Sequence, residues 1–369
     1  MKLDRRILTL LTLSYFFAGC NAQNAPLMPS STSRAVSAAA SPSIGRSLQI
    51  REFPIPTASA APGNLANGPH DVRWVLEFYA NKVAAVRENG AVTEYPVPSP
   101  AQGNPHVITA APDGNLWFSE DNTAAGGQSY IGRVTTSGFI TMFPIPTLNS
   151  RVVGVAVGPD KNIWFCEPNA QQIGEITSAG QITEYPVPNS SGVPWAITTG
   201  PDGNIWYTLL QANSIARRLP DGVTTEFPVP TPNALPNFIT TGPDGNLWFV
   251  EFNGNSIGRI TPAGVITEFP IPPNGGTRNP GQISLGPNGN LWFTIQQQQP
   301  GLGMVGKINP RTGEIKEYSV PSKDVGPGIV LGSDGNLWFT EWDADKVGRI
   351  DCDGHRRPDE QLDRGDSGC

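Results

Sequence analysis

Tryptophan recurs at Trp74, Trp117, Trp164, Trp206, Trp248, Trp292 and Trp338, always 42 to 47 residues after the previous copy. A period in the forties, with strand-length apolar runs between turn signals, marks a β-propeller blade. The clearest copy spans Pro236 to Pro272 and reads PNFITTGPDGNLWFVEFNGNSIGRITPAGVITEFPIP. Phe238–Thr241 is a short β-rich run, read as the innermost strand. Gly242-Pro243-Asp244-Gly245-Asn246 is a turn, in which Pro sets φ and Gly supplies a positive φ. Leu247–Glu251 is a second strand, apolar on both faces, as stacking between two neighbours requires. Ser256–Thr261 is the third strand and Val265–Pro270 the fourth. The prolines of that fourth run fit only an outer edge, where a missing N–H costs no ladder bond and blunts unwanted pairing.

The outer-strand motif occurs seven times, beginning at Glu52-Phe53-Pro54-Ile55-Pro56 and recurring around Tyr95, Phe143, Tyr185, Phe227, Phe269 and Tyr318. The first copy precedes the first repeat Trp, and none follows the last. The expected fold is therefore an all-β, seven-bladed β-propeller with four-stranded blades over residues 48–350. Its ring is closed by the N-terminal strand Leu48–Pro56, which completes the blade begun near Pro327. One blade departs from the pattern. In GPHDVRWVLEF (Gly68–Phe78) either part of the first hairpin is missing or GPHD replaces GPDG.

Gly (41) and Pro (37) together make up about a fifth of the 369 residues, which excludes a long helical protein. Lys and Arg number 25 against 32 Asp and Glu, so there is no basic excess to displace phosphate counterions and a nucleic-acid partner is not expected. The segment 1–19 reads as a secretory signal. Lys2, Arg5 and Arg6 precede the apolar run Ile7–Phe17, which is too short to span a bilayer. Phe17-Ala18-Gly19-Cys20 resembles the bacterial lipoprotein cleavage box, which implies lipidation of Cys20. Residues 20–47, rich in Ala, Ser, Asn and Pro, read as a disordered tether. The charged stretch 351–369 reads as a disordered tail. These features place the chain in the bacterial cell envelope, lipid-anchored through Cys20 or periplasmic or secreted, as a monomer touching the membrane only through the anchor. Cys166 reads as an inert buried thiol. Cys352 and Cys369 could pair in an oxidising compartment.

Glu follows the repeat Trp by three residues in five blades, as Glu77, Glu120, Glu167, Glu251 and Glu341, which suits a scaffold role. The histidines are less regular. His70 and His106 both stand in Pro-His-x-Val/Ile, read as inner-strand starts of adjacent blades, and position 106 corresponds to Asn237 or Gly281 elsewhere. Two such imidazoles reaching one channel could serve as base and acid. Glu120, 14 residues after His106, could return to the same rim and hold a hard cation such as Mg²⁺.

The units GPDGNLWF, NSIGRITPAGVITEFPIP and the Pro-His-x-Ile strand start resemble the virginiamycin B lyase (streptogramin lyase) family over about four-fifths of the chain. That resemblance implies a seven-bladed propeller opening cyclic depsipeptides, the type B streptogramins, by elimination. It also implies a Mg²⁺ that polarises the ester region and a His base that takes the Cα proton. The family pattern puts its two His in the Pro-His-x-Ile of the last two blades. Here those stretches read Pro280-Gly281-Gln282-Ile283 and Gly326-Pro327-Gly328-Ile329. Val325 stands near the first family Glu and Glu341 near the second. A rotated set remains, with His106 and His70 as catalytic candidates and Glu120 and Asn104 as metal ligands. Two functions follow: a Mg²⁺-dependent carbon–oxygen lyase, or a non-catalytic propeller binding a small cyclic peptide, another ester-linked ligand, a glycan or a protein at its channel face.

Overall fold

The computed structural model describes residues 48–98, 103–122, 127–188, 192–273, 278–297, 303–352 and 369. The calls on the signal, Cys20, the tether and most of the tail lie outside these residues. Seven antiparallel sheets of four strands each form the blades, and six of them run in simple sequence order. The first blade uses Pro62–Asn67, Val72–Glu77, Lys82–Arg87 and Val92–Pro96. The second uses Asn104–Ala110, Leu116–Asp121, Tyr130–Val134 and Ile140–Pro144. The seventh is built from Ile329–Leu331, Leu337–Glu341 and Lys346–Ile350, with Ile50–Pro54 as its outer strand. Ile50 lies opposite Ile350 and Pro54 opposite Lys346, so the ring closes as the motif count requires.

The core consists of seven hydrophobic clusters, each shared by two neighbouring blades. This is why the second strand is apolar on both faces. The repeat Trp faces one neighbour and the next residue faces the other. Trp117 packs with Phe165 of the third blade, and Phe118 packs with Trp74 of the first. In all seven blades the Trp ring also stacks on the outer-strand aromatic at 5.4 to 5.7 Å between centroids. Phe53 fills that place against Trp338, so the N-terminal strand supplies a buried ring as well as backbone hydrogen bonds.

The first blade is complete, and the alignment of GPHD with GPDG is the correct alternative. Gly68 N–H bonds to Val72 O just as Gly242 N–H bonds to Asn246 O. In five blades the turn Asp accepts the Trp indole N–H, as Asp244 does from Trp248 at 3.0 Å. His70 occupies that Asp place. The turn is instead bound to the seventh blade, where buried Arg73 pairs with Asp334 at 2.9 Å and lies 5.2 Å over the Trp338 ring. Asp71 accepts a hydrogen bond from Ser333. Of the 351–369 stretch, Cys352 and Cys369 are both buried and joined by a disulfide, with Cα atoms 5.1 Å apart. Cys166 is a buried free thiol whose pKa is pushed up by burial and by Glu167.

Candidate functional site at the channel mouth

The innermost strands begin, and the second strands end, at one end of the ring. The turns that carry the GPDG motif lie at the other. His106 is the third residue of its inner strand, whereas His70 sits in the turn after Pro62–Asn67, with φ near +60°. The two imidazoles therefore lie at opposite ends of their blades, and the inner-strand position expected for His70 is corrected. The first-blade residue equivalent to His106 is Gly63, since Pro62 faces Glu77 as Pro105 faces Glu120. Pro-His-x-Val at 69–72 matches the strand-start pattern only by accident. The true strand, PGNLAN, has too little β propensity to announce itself.

Glu120 is buried and turned into the blade stack, where a Cβ on Gly103 would overlap its carboxylate. Asn104 lies opposite Asp121 in the ladder. The expected set of His70, His106, Glu120 and Asn104 is thus not gathered in one place. Among the described residues, no three His, Cys, Asp or Glu side chains come together as a metal would need.

The equivalent glutamates show what this position does. Glu77, Glu167, Glu251 and Glu341 are buried, and each is pushed up to about 8, chiefly by burial and then by the outer-strand carboxylate of its own blade. Those partners are Glu94, Glu184, Glu268 and Glu52. In the first, third and fifth blades the side-chain contact between the two acids raises the inner one further. The outer carboxylates hold the loop arriving from the preceding blade. Glu94 accepts from Thr57 N–H and Oγ1 at 2.9 and 2.8 Å, Glu268 from Thr231 N–H at 2.8 Å, and Glu52 from Ser322 N–H at 2.9 Å. Glu341, buried at the end of its strand, is the one carboxylate left near the family position. Gly281, Pro327 and Val325 at the other family positions offer no side-chain oxygen or nitrogen, so the residues present do not make up a Mg²⁺ ligand set.

The family position is also bridged by polar side chains. Gln282 Oε1 accepts from Ile329 N–H and from Asn64 Nδ2, both at 3.0 Å. Asn64 Oδ1 in turn accepts from Ile108 N–H at 3.2 Å. This chain links the sixth, seventh, first and second blades across the inner strands. The Gly-Pro-Gly entry of the seventh blade permits it, since a Cβ on Gly328 would stand 2.6 Å from Gly63 O.

A different constellation surrounds His106. Its Nε2 lies 3.5 Å from Asp121 Oδ2, and Arg151 Nε donates to the same oxygen at 3.0 Å. The Arg151 guanidinium lies 5.1 Å over the Trp195 ring. On its other side His106 meets Phe78 edge-on at 5.1 Å, and Phe78 meets Trp342 at 5.3 Å. The result is one continuous arc from the seventh blade to the fourth: Trp342, Phe78, His106, Asp121, Arg151, Trp195. Five of these six went unnoticed in the sequence. A signal for them existed. The residue after the repeat Glu position reads Phe78, Asp121, Pro168, Leu210, Phe252, Gln296 and Trp342, seven blades with little agreement. Positions that a repeat leaves free to vary are where a unique site can be written.

The family model described as the Virginiamycin B lyase family matches residues 36–128, 123–299 and 275–358. A solved streptogramin B lyase is 32% identical, with a TM-score of 0.73, over 82% of this chain and 97% of its own. A selenomethionine-substituted virginiamycin B lyase from Staphylococcus aureus is 35% identical at a TM-score of 0.72, over 82% of this chain and 99% of that one. A curated virginiamycin B lyase from Nocardia farcinica is 38% identical over 68 residues, which is 18% of this chain and 24% of the relative's length. The fold thus agrees with that of solved lyases along almost their full length, and the chain belongs to the virginiamycin B lyase family.

Proposed function

We propose that this chain is a ligand-binding propeller of the cell envelope, which uses the lyase scaffold to recognise a small cyclic or ester-linked peptide without breaking it. The observation that carries this reading is Gly281 and Pro327 at the two positions where the family pattern has histidines. Neither can take or give a proton, so the base that elimination requires is missing there. The Gln282–Asn64 bridge supports the same reading, because it fills that part of the inner ring with satisfied protein hydrogen bonds. The Lys2/Arg5/Arg6 flank, the apolar run and Cys20 support export and tethering. Fold membership alone decides nothing about chemistry.

A specific observation favours a second reading. His106 faces a buried carboxylate at 3.5 Å, and a carboxylate that orients an imidazole is a familiar arrangement for a general base. In that reading His106 takes the Cα proton, a Cα–Cβ double bond forms, and the C–O electron pair leaves with the carboxylate. The test is to incubate the full chain with a type B streptogramin, with and without Mg²⁺, and to separate the products by chromatography. Elimination inside a ring leaves the mass unchanged, so retention and fragmentation must be read instead. Intact substrate under both conditions is the expected result. A ring-opened product would overturn the binding reading, and its loss in His106→Ala would assign the reaction to this histidine.

A further inference from the structure

We propose that the arc at the channel mouth recognises an uncharged hydrogen-bond donor, a backbone amide N–H, presented next to an aromatic side chain, so that its ligand is an aromatic peptide. This inference rests on the binding reading above and gives that site its ligand chemistry.

The argument starts from Asp121. Its side chain is 1% exposed, and its Oδ2 is engaged by both Arg151 and His106. Its Oδ1 is equally buried and has no hydrogen-bond partner in the folded chain. A buried carboxylate oxygen without a donor is costly, and native proteins rarely keep one without a use. Here it lies beside two side chains that reach solvent, since His106 is 11% and Arg151 15% exposed. The charge of Asp121 is already balanced by the Arg151 guanidinium at 3.0 Å. The group that completes the site therefore needs to donate a hydrogen bond and needs no positive charge.

The neighbours add the second requirement. Phe78, Tyr79 and Trp342 form a mutually touching trio with centroids 5.2 to 5.8 Å apart, and Tyr79 is 41% exposed. Trp195 closes the other end of the arc under Arg151. Aromatic faces flanking a polar centre suit a ligand that carries a ring next to its donor. Backbone geometry does not explain why these residues are present. Arg151 takes a left-handed φ of +55°, but so do Ala61 (+51°) and Leu235 (+52°) at the same place in other blades. The loop form is shared, and only the side chain is particular to this blade. The polar centre of the arc, His106, Asp121 and Arg151, belongs to the second and third blades, whereas Gly281 and Pro327 belong to the sixth and seventh.

The test titrates the full chain with N-acetyl-Phe-Tyr-amide and with its backbone N-methylated analogue, following tryptophan fluorescence and binding heat. The parent peptide is expected to bind about tenfold more tightly than the N-methylated one, the worth of one good hydrogen bond to a charged acceptor. Asp121→Asn, which presents a donor in place of the acceptor, is expected to reduce that ratio to about one. Trp342→Leu is expected to weaken both peptides alike and to leave the ratio intact. That pattern separates recognition by Asp121 from general loss of structure. Equal binding of the two peptides to the unsubstituted chain, or binding of neither, overturns the inference. If streptogramin stays intact while the ratio is one, only this inference fails; if streptogramin is opened, the binding reading itself fails.

Discussion

Glutamine in place of Glu251 should make the propeller more stable at alkaline pH and leave it nearly unchanged in acid. Glu251 is fully buried and is pushed up from 4.5 to about 8, first by burial, then by the charge of Glu268 and the hydrogen bond shared with it. Below pH 4.5 the folded and unfolded chains both hold this proton, and the site costs nothing. As pH rises, the unfolded chain releases the proton while the folded chain keeps it, so stability falls until the folded group ionises near pH 8. Each unit of displacement corresponds to about 1.4 kcal/mol, so the full span costs at most about 5 kcal/mol, and about 2–4 kcal/mol after allowing for relaxation around the site. A Gln at this position still donates to Glu268 and never titrates. Urea unfolding followed by tryptophan fluorescence at pH 5, 6.5 and 8 measures the difference. The midpoints of the two proteins should nearly coincide at pH 5, and the variant should lead by the amount above at pH 8. Parallel pH profiles would refute the reasoning, because they would mean that Glu251 is already ionised in the folded chain.

Other substitutions test the seam, the bridge and the tail. Arg73→Met removes the buried cation paired with Asp334 and stacked on Trp338, and should cost about 3 kcal/mol; a double-mutant cycle with Asp334→Asn measures how much of that belongs to the pair. Gln282→Leu leaves Ile329 N–H and Asn64 Nδ2 without their acceptor and should cost about 1–3 kcal/mol in an unfolding titration. Reducing the Cys352–Cys369 disulfide, which closes a span of 17 residues, should lower stability by about 3 kcal/mol, measured as the shift in midpoint with and without reductant.

The legible and illegible parts of this chain separate along a physical line. The Trp spacing could be read because each Trp is fixed by two neighbours and by its own outer aromatic, and that demand recurs in every blade. Ring closure could be read for the same reason, because Phe53 has the same task against Trp338 as Phe143 has against Trp117. The strand Pro62–Asn67 could not be read. Its Gly and Asn residues are ordered by burial between neighbouring blades and by the Asn64 hydrogen bonds, both of which are tertiary effects. Because that strand is faint in the sequence, Pro69-His70 reads as a strand start although it lies in the turn at the other end of the blade.

The candidate site was hidden for the opposite reason. Asp121, Arg151 and Trp195 are separated in sequence and belong to three blades, and none matches a motif. They meet because the ring brings the same end of every blade to one channel mouth. A fold made of near-copies satisfies its structural needs at the repeated positions and leaves the positions between them unconstrained by packing. The four buried acid pairs belong to the first class, since they recur in the first, third, fifth and seventh blades and their outer members hold the loop of the preceding blade. The arc belongs to the second, since its loop geometry recurs while its side chains do not. The two classes should therefore respond to different perturbations. Alkaline pH should loosen the blades before it alters the arc's preference for a donor, and Asp121→Asn should abolish that preference without changing the pH dependence of unfolding. Measuring both properties in both variants, Glu251→Gln and Asp121→Asn, tests the separation directly. A change of donor preference in the first variant, or of pH dependence in the second, would show that scaffold and site are one coupled network.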